Sequence, residues 1–159
     1  MKMKKYWLLL LIVLLVGCSG GEKAEAPLFT EDQAVSFEIV KYEEKIDPVY
    51  GQLVPHIAYA KTQGQLEELK ARFDVEDVQM DMDKYFAVFI VTYSDSCGIA
   101  VDSVYNKDGL LSVQLLSASG ESCDQTAVPH TFVLQVEQGE YEKVQLFNGN
   151  VIKSSMDVE

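Results

Sequence analysis

Hydrophobic and polar positions divide this 159-residue chain into one unbroken apolar run and a series of short alternating ones. Residues 7–16 (WLLLLIVLLV) are apolar throughout and follow Lys2, Lys4 and Lys5. A mature membrane span needs roughly 20 apolar residues, so this run is too short for one. A basic end, an apolar core and a small residue after it follow the plan of a secretory signal.

From residue 34 onward alternation takes over. Residues 34–42 set Val35, Phe37 and Ile39 against Ser36, Glu38 and Val40, which predicts a half-buried strand. Residues 50–56 read as a loop or edge segment, because Pro55 cannot donate to a ladder, and residues 56–60 as a short strand. Thr62 and Gln65 form a capping box that opens a helix over 62–73, with Leu66, Leu69 and Phe73 along one face. The run KYFAVFIVTY at 84–93 has no polar face, so it predicts a central strand covered on both sides. Residues 99–105 and 110–117 form a hairpin across a turn ending in Gly109. Residues 129–137 alternate again, with Phe132, Leu134 and Val136 on one face, and lead through a turn to 143–147. Asn148-Gly149 then turns into a last short strand at 151–152. Five to seven short strands and one early helix predict an α+β fold: a mostly antiparallel, β-rich sheet or sandwich with one amphipathic helix over about 62–73.

Leu15-Val16-Gly17-Cys18 resembles the lipobox of bacterial lipoproteins. That resemblance implies cleavage before Cys18, a lipid on its thiol, and residence on the extracytoplasmic face of the cell membrane. It divides the chain into a signal peptide (1–17), a lipidated N-terminus and tether (18–33) and one β-rich domain (34–159). Residues 19–33, small and charged, bury too little surface to offset their ordering entropy and read as a flexible spacer. Cleavage removes three of the 13 basic residues and none of the 25 acidic ones, leaving a formal charge of −15. Such a chain repels nucleic acid, which excludes that class of partner. It also repels anionic head groups, so the domain is expected to stand off the membrane that holds its lipid.

Cys97 and Cys123 remain after cleavage, an even number in an exported chain, and are expected to pair. Two separate thiols are the alternative. A catalytic thiol pair is disfavoured because no C-x-x-C spacing lowers a thiol pKa. There is no G-x-S-x-G and no H-E-x-x-H, and His56 and His130 stand alone. His130 reads as a half-exposed strand residue and His56 as a surface loop residue. A His130–Cys123 pair is conceivable in space, but a disulfide would consume its thiol. The acidic run at 76–83 lacks the spacing of a calcium loop and reads as a solvated connector. No metal site and no cofactor are expected. Ser94, Asp95, Ser96, Cys97 and Gly98 join two apolar strands, and small residues at a strand end make an exposed loop suited to recognition. A disulfide-pinned turn without a partner fits them equally well.

The order of elements around this loop carries a second resemblance: the QLEEL helix, VQMDMDK into a buried strand, GIAVDSV, the Gly109 turn, LLSVQL, a cysteine-bearing loop and HTFVLQV. Over residues 61–136 it is similar to the C-terminal domain family of the protease complex subunit PrcB. That family usually carries a Thr-Gly-Gly-Tyr loop where this chain has Ser96-Cys97-Gly98-Ile99, so only Gly98 matches. The resemblance implies an accessory partner of a protease complex rather than a catalyst. The expected function is a membrane-anchored, non-enzymatic protein-binding or accessory module whose partner is another envelope protein. The alternative is a small-solute- or metal-binding lipoprotein.

Overall fold

The computed structural model describes residues 29–45, 55–120 and 122–159. The signal peptide, the lipid-attachment residue Cys18, most of the tether and the loop at 50–54 lie outside the described residues. Among the described residues there are eight strands: β1 (Phe37–Glu43), β2 (His56–Ala60), β3 (Tyr85–Ser94), β4 (Ile99–Lys107), β5 (Leu110–Ser117), β6 (Val128–Glu137), β7 (Lys143–Asn148) and β8 (Val151–Asp157). One α-helix, α1 (Gln63–Phe73), follows β2. The chain is β-rich with a single helix among the described residues, as expected, although the strands number one more than the upper end of five to seven.

The strands form two four-stranded sheets, β1-β6-β3-β2 and β4-β5-β7-β8. Every pairing is antiparallel except β5 with β7. That exception follows from connectivity. After β5 the chain crosses to the first sheet as β6 and returns as β7, so two reversals restore its direction.

The sheets share one core. Phe86, Val88, Ile90, Phe132, Leu134 and Val136 from the first sheet meet Val101, Val104, Leu111, Val113, Val144 and Leu146 from the second. Alternate residues of β3, namely Ala87, Phe89 and Val91, point the other way. There they pack with Val133 of β6 and with Leu66, Leu69 and Phe73 of α1. This double covering is why β3 has no polar face: each side of the strand faces a different apolar layer. The small side chains of Ala58, Ala60 and Ala87 lie in the same layer as the helix.

Local chemistry explains the ends of the elements. The Thr62 hydroxyl accepts from the Gln65 N–H (3.3 Å), and the Gln65 side chain accepts from the Thr62 N–H (3.2 Å), the expected capping box. Asp108 and Gly109 both have positive φ (51° and 80°), as the two-residue turn between β4 and β5 requires. The acidic connector after α1 is not solvated throughout: Val75, Val78 and Met82 are buried beneath the helix layer. In β1, Phe37 and Ile39 lie opposite Val136 and Leu134, but only Phe37 packs on the shared core, while Val40, assigned by alternation to the polar face, packs toward the helix layer. A bulge follows before Lys41. Ile39 stays 41% exposed because β1 is a sheet edge.

The chain enters the domain over the second sheet. Phe29, at the end of the stretch read as tether, stacks on Tyr105 with ring centroids 4.8 Å apart and meets Phe147 edge-on at 6.3 Å. A short 3₁₀ turn (Glu31–Gln33) follows, Ala34 bridges to Tyr105, and the Val35 N–H donates to the Val104 carbonyl (2.9 Å).

Candidate functional site

Both connections that cross between the sheets at one end of the sandwich are loops. Residues 95–98 link β3 to β4, and residues 118–127 link β5 to β6. Cys97 and Cys123 join them in a disulfide with Cα atoms 5.3 Å apart. The expected pairing is present, and it ties together the two sheet crossings at this end of the sandwich.

Hydrogen bonds lock the shorter loop. The Asp95 carboxylate accepts from the Cys97 N–H (2.9 Å), and the Asp95 carbonyl accepts from the Gly98 N–H (3.2 Å). The Ser96 N–H donates to the Asp124 carbonyl (3.2 Å), while the Ser96 hydroxyl accepts from the Asp124 N–H (2.8 Å). Gly98 carries φ +92°, a conformation strained for any side chain, and its carbonyl accepts from Ala118 (3.0 Å). The Asp124 carboxylate accepts from the Thr126 N–H (3.0 Å), and this bond holds its pKa below the ordinary value. Ser96 and Cys97 are exposed at the tip. Of the five residues singled out from sequence, Ser94 ends β3 and faces His130, while Asp95 to Gly98 form the connecting loop.

Asp95 also places a carboxylate oxygen within 4.8 Å of both cysteine sulfurs. A disulfide offers no thiolate, so this grouping is not a ligand set for a metal ion.

His130 corrects the sequence-based expectation. It is 1% exposed, not half-exposed, and it occupies the centre of a hydrogen-bonded chain. Its Nε2 lies 2.7 Å from Ser94 Oγ and its Nδ1 lies 3.0 Å from the Tyr42 hydroxyl. Tyr42 in turn donates to Glu44 at 3.1 Å, and Ser94 can donate to the Asp95 carbonyl at 2.7 Å. A neutral imidazole satisfies the chain in either of two ways. With Tyr42 donating to Glu44, Nδ1–H donates to Tyr42 and Nε2 accepts from Ser94. With Ser94 donating to Asp95, Nε2–H donates to Ser94 and Nδ1 accepts from Tyr42. Burial holds the His130 pKa below 6.5, partly offset by the nearby Glu44 carboxylate. A partner for His130 was not visible in sequence, because Tyr42 is 88 residues away and Ser94 is 36.

His56 is likewise not a surface loop residue. It opens β2 opposite Val91 and is half-buried, which lowers its pKa, as does the charge of Arg72. The two histidines are in different places, His56 facing Phe73 and His130 facing Tyr42 and Phe132.

The opposite end of the first sheet carries an open hollow of about 580 Å³, lined by Phe37, Glu38, Lys84, Tyr85, Glu137 and Gln138 among others. Gln138 closes its floor by donating to the carbonyls of Met82 (3.1 Å) and Tyr85 (2.9 Å). Comparison of the chain with family models, curated proteins and solved structures returns no match.

Proposed function

We propose that this chain is an extracytoplasmic lipoprotein, acylated on Cys18, whose β-rich domain is a non-enzymatic binding module for another envelope protein. The observation that carries the binding role is the 94–98 loop, held by a disulfide and by hydrogen bonds to the neighbouring loop. A surface that is rigid before contact loses little conformational entropy on binding, which favours recognition.

The same bonds count against Ser94 as a nucleophile despite its contact with His130. Acyl transfer needs free N–H donors for the developing oxyanion. Here the N–H groups of Ser96, Cys97 and Gly98 are engaged by Asp124, by the Asp95 side chain and by the Asp95 carbonyl.

The test is crosslinking and pull-down of the tagged, lipidated protein from its own cells. One dominant envelope protein is expected, lost when residues 94–98 are replaced by a Gly/Ser segment of equal length. A protease among the captured proteins would support the accessory role implied by the PrcB resemblance. Turnover of an envelope substrate that falls on Ser94→Ala would overturn the non-enzymatic reading. The lipid has its own test: Cys18→Ser is expected to abolish acylation, and a fully processed, acylated mutant would overturn the anchor.

The hollow beside Lys84 favours the second reading, a small-solute binder. A solute that raises Tm in a thermal-shift screen, with the rise lost in Lys84→Ala, would move the conclusion there.

A further inference from the structure

We propose that His130 is a proton-operated latch that fastens the start of the 95–98 loop to the end of β1. The basis is a count of hydrogens along the buried chain. Four contacts run in series: Glu44 to Tyr42 (3.1 Å), Tyr42 to Nδ1 (3.0 Å), Nε2 to Ser94 (2.7 Å) and Ser94 to the Asp95 carbonyl (2.7 Å). Each contact needs one hydrogen between its two heavy atoms. The two hydroxyls supply two hydrogens and a neutral imidazole supplies one, so three hydrogens serve four contacts. Either neutral arrangement leaves two oxygens face to face with no hydrogen between them: Ser94 against the Asp95 carbonyl, or Tyr42 against the Glu44 carboxylate. An imidazolium supplies the fourth hydrogen. Both ring nitrogens then donate, both hydroxyls turn outward, and the chain ends on two acceptors, a carboxylate and a backbone carbonyl. The ring is 1% exposed, so its nitrogens depend on these hydroxyls rather than on bulk water.

The groups around the ring favour this use of the proton. From β1 it faces Tyr42 and, just beyond the strand, Glu44; from β3 it faces Ser94, with Thr92 opposite it in register. The Asp95 carboxylate is turned to the Cys97 N–H and the Asp124 carboxylate to the Thr126 N–H. Lys41 and Glu43 lie opposite Val133 and Thr131, on the other face of β6, where the Lys45 carbonyl accepts from Thr131 and Tyr93 packs toward the helix layer. The side chains that the second sheet packs into the shared core are apolar. Glu44 is thus the charge at the end of the chain, and a carboxylate ordinarily takes a proton at lower pH than an imidazole, so the fourth hydrogen goes to the ring. The Asp95 carbonyl also accepts from the Gly98 N–H (3.2 Å), so Ser94 joins His130 to the turn that shapes the loop. A neutral ring fastens one end at a time; a protonated ring fastens both. The service of this latch to recognition rests on the binding role proposed for the loop.

The test is a titration of the full lipidated chain in detergent micelles from pH 7.5 to 5, followed by long-range 1H–15N NMR of the imidazoles and by amide hydrogen exchange. At pH 7.5 the two His130 nitrogens are expected to average between N–H and bare nitrogen, as exchanging tautomers do. Toward pH 5 both should move to the N–H position. The protection factor of the Gly98 amide should rise severalfold with the same midpoint, although global stability falls. Two variants should then act in opposite directions. Ser94→Ala cuts the link to the loop, so Gly98 protection should stay low throughout. Tyr42→Phe removes the partner of Nδ1, and a buried bare acceptor is tolerated better than a buried orphan N–H. The neutral ring then keeps its hydrogen on Nε2, Ser94 stays on the Asp95 carbonyl, and Gly98 protection should be high at both ends of the titration. Equal loss of protection in both variants would show a structural contact and overturn the latch. So would a single fixed tautomer that persists to pH 5, or Gly98 protection that ignores the His130 titration. These readouts need no partner, so failure of the pull-down overturns the binding role and leaves the latch standing.

Discussion

The two sheets are alike in size and differ in what covers their outer faces. The first sheet presents Ala58, Ala60, Ala87, Phe89, Val91 and Val133 outward and buries them beneath α1 and the connector through Val75, Val78 and Met82. The second has Ser112, Gln114, Gln145 and the Lys143–Asp157 ion pair among its outward positions, and among the described residues it is covered by Phe29 over Tyr105 and Phe147 and by the short turn that follows. A sheet with two apolar faces needs a third layer, whereas one with a mixed outer face can be left largely to solvent. Most of the stability should therefore sit around β3 and β6.

The sharpest way to break this contrast is Phe89→Ala. Phe89 is fully buried between β3 and the helix, against Phe73 at 5.1 Å, and its loss is expected to destabilise by roughly 3–5 kcal/mol in urea unfolding. A loss under 1 kcal/mol would mean that the helix layer is not integral to the fold. Next comes the clamp between the sheet crossings. Replacing both Cys97 and Cys123 by Ser opens a loop with a sequence separation of 26 and should cost about 3–4 kcal/mol by the chain-entropy model. Phe29→Ala follows at about 2 kcal/mol, because the ring is half-buried but stacked. If Phe29→Ala matched Phe89→Ala, the second sheet would be as dependent on its cover as the first.

The smallest effect is that of pH. His130 and His56 both have folded pKa values held below 6.5 by burial, so between the folded value and 6.5 the unfolded chain binds more protons. Their contribution to stability is present above pH 6.5 and is lost as pH falls through 6.5 toward the folded values. Unfolding measured between pH 7.5 and 5 should show stability decreasing toward acid, with a shallower slope in His130→Gln. An unchanged slope in that variant would mean that His130 does not titrate as its burial implies. The ion pairs of Lys41 with Asp77 (2.7 Å) and Glu43 (3.0 Å) are largely exposed on the Asp77 side. They act at a lower pH, and such surface pairs contribute little.

Local patterns alone determined α1 with its capping box, the two-faced character of β3, the β4–β5 turn and the alternation of β6. Each depends on residues within a few positions of one another, and burial on one side or both writes itself directly into residue type. The compartment rule for paired cysteines was enough to anticipate the Cys97–Cys123 bond. Tertiary structure alone decided the division of strands between two sheets, because alternation records that a face is buried and not which sheet buries it. It also decided the place of His130. Full burial of an imidazole is tolerable only with partners for both ring nitrogens, and these come from Tyr42 and Ser94, on strands brought together by pairing. Phe29 was hidden for the same reason: a single aromatic ring in a polar stretch has no period, and its significance depends on Tyr105 and Phe147 lying in the sheet that receives it.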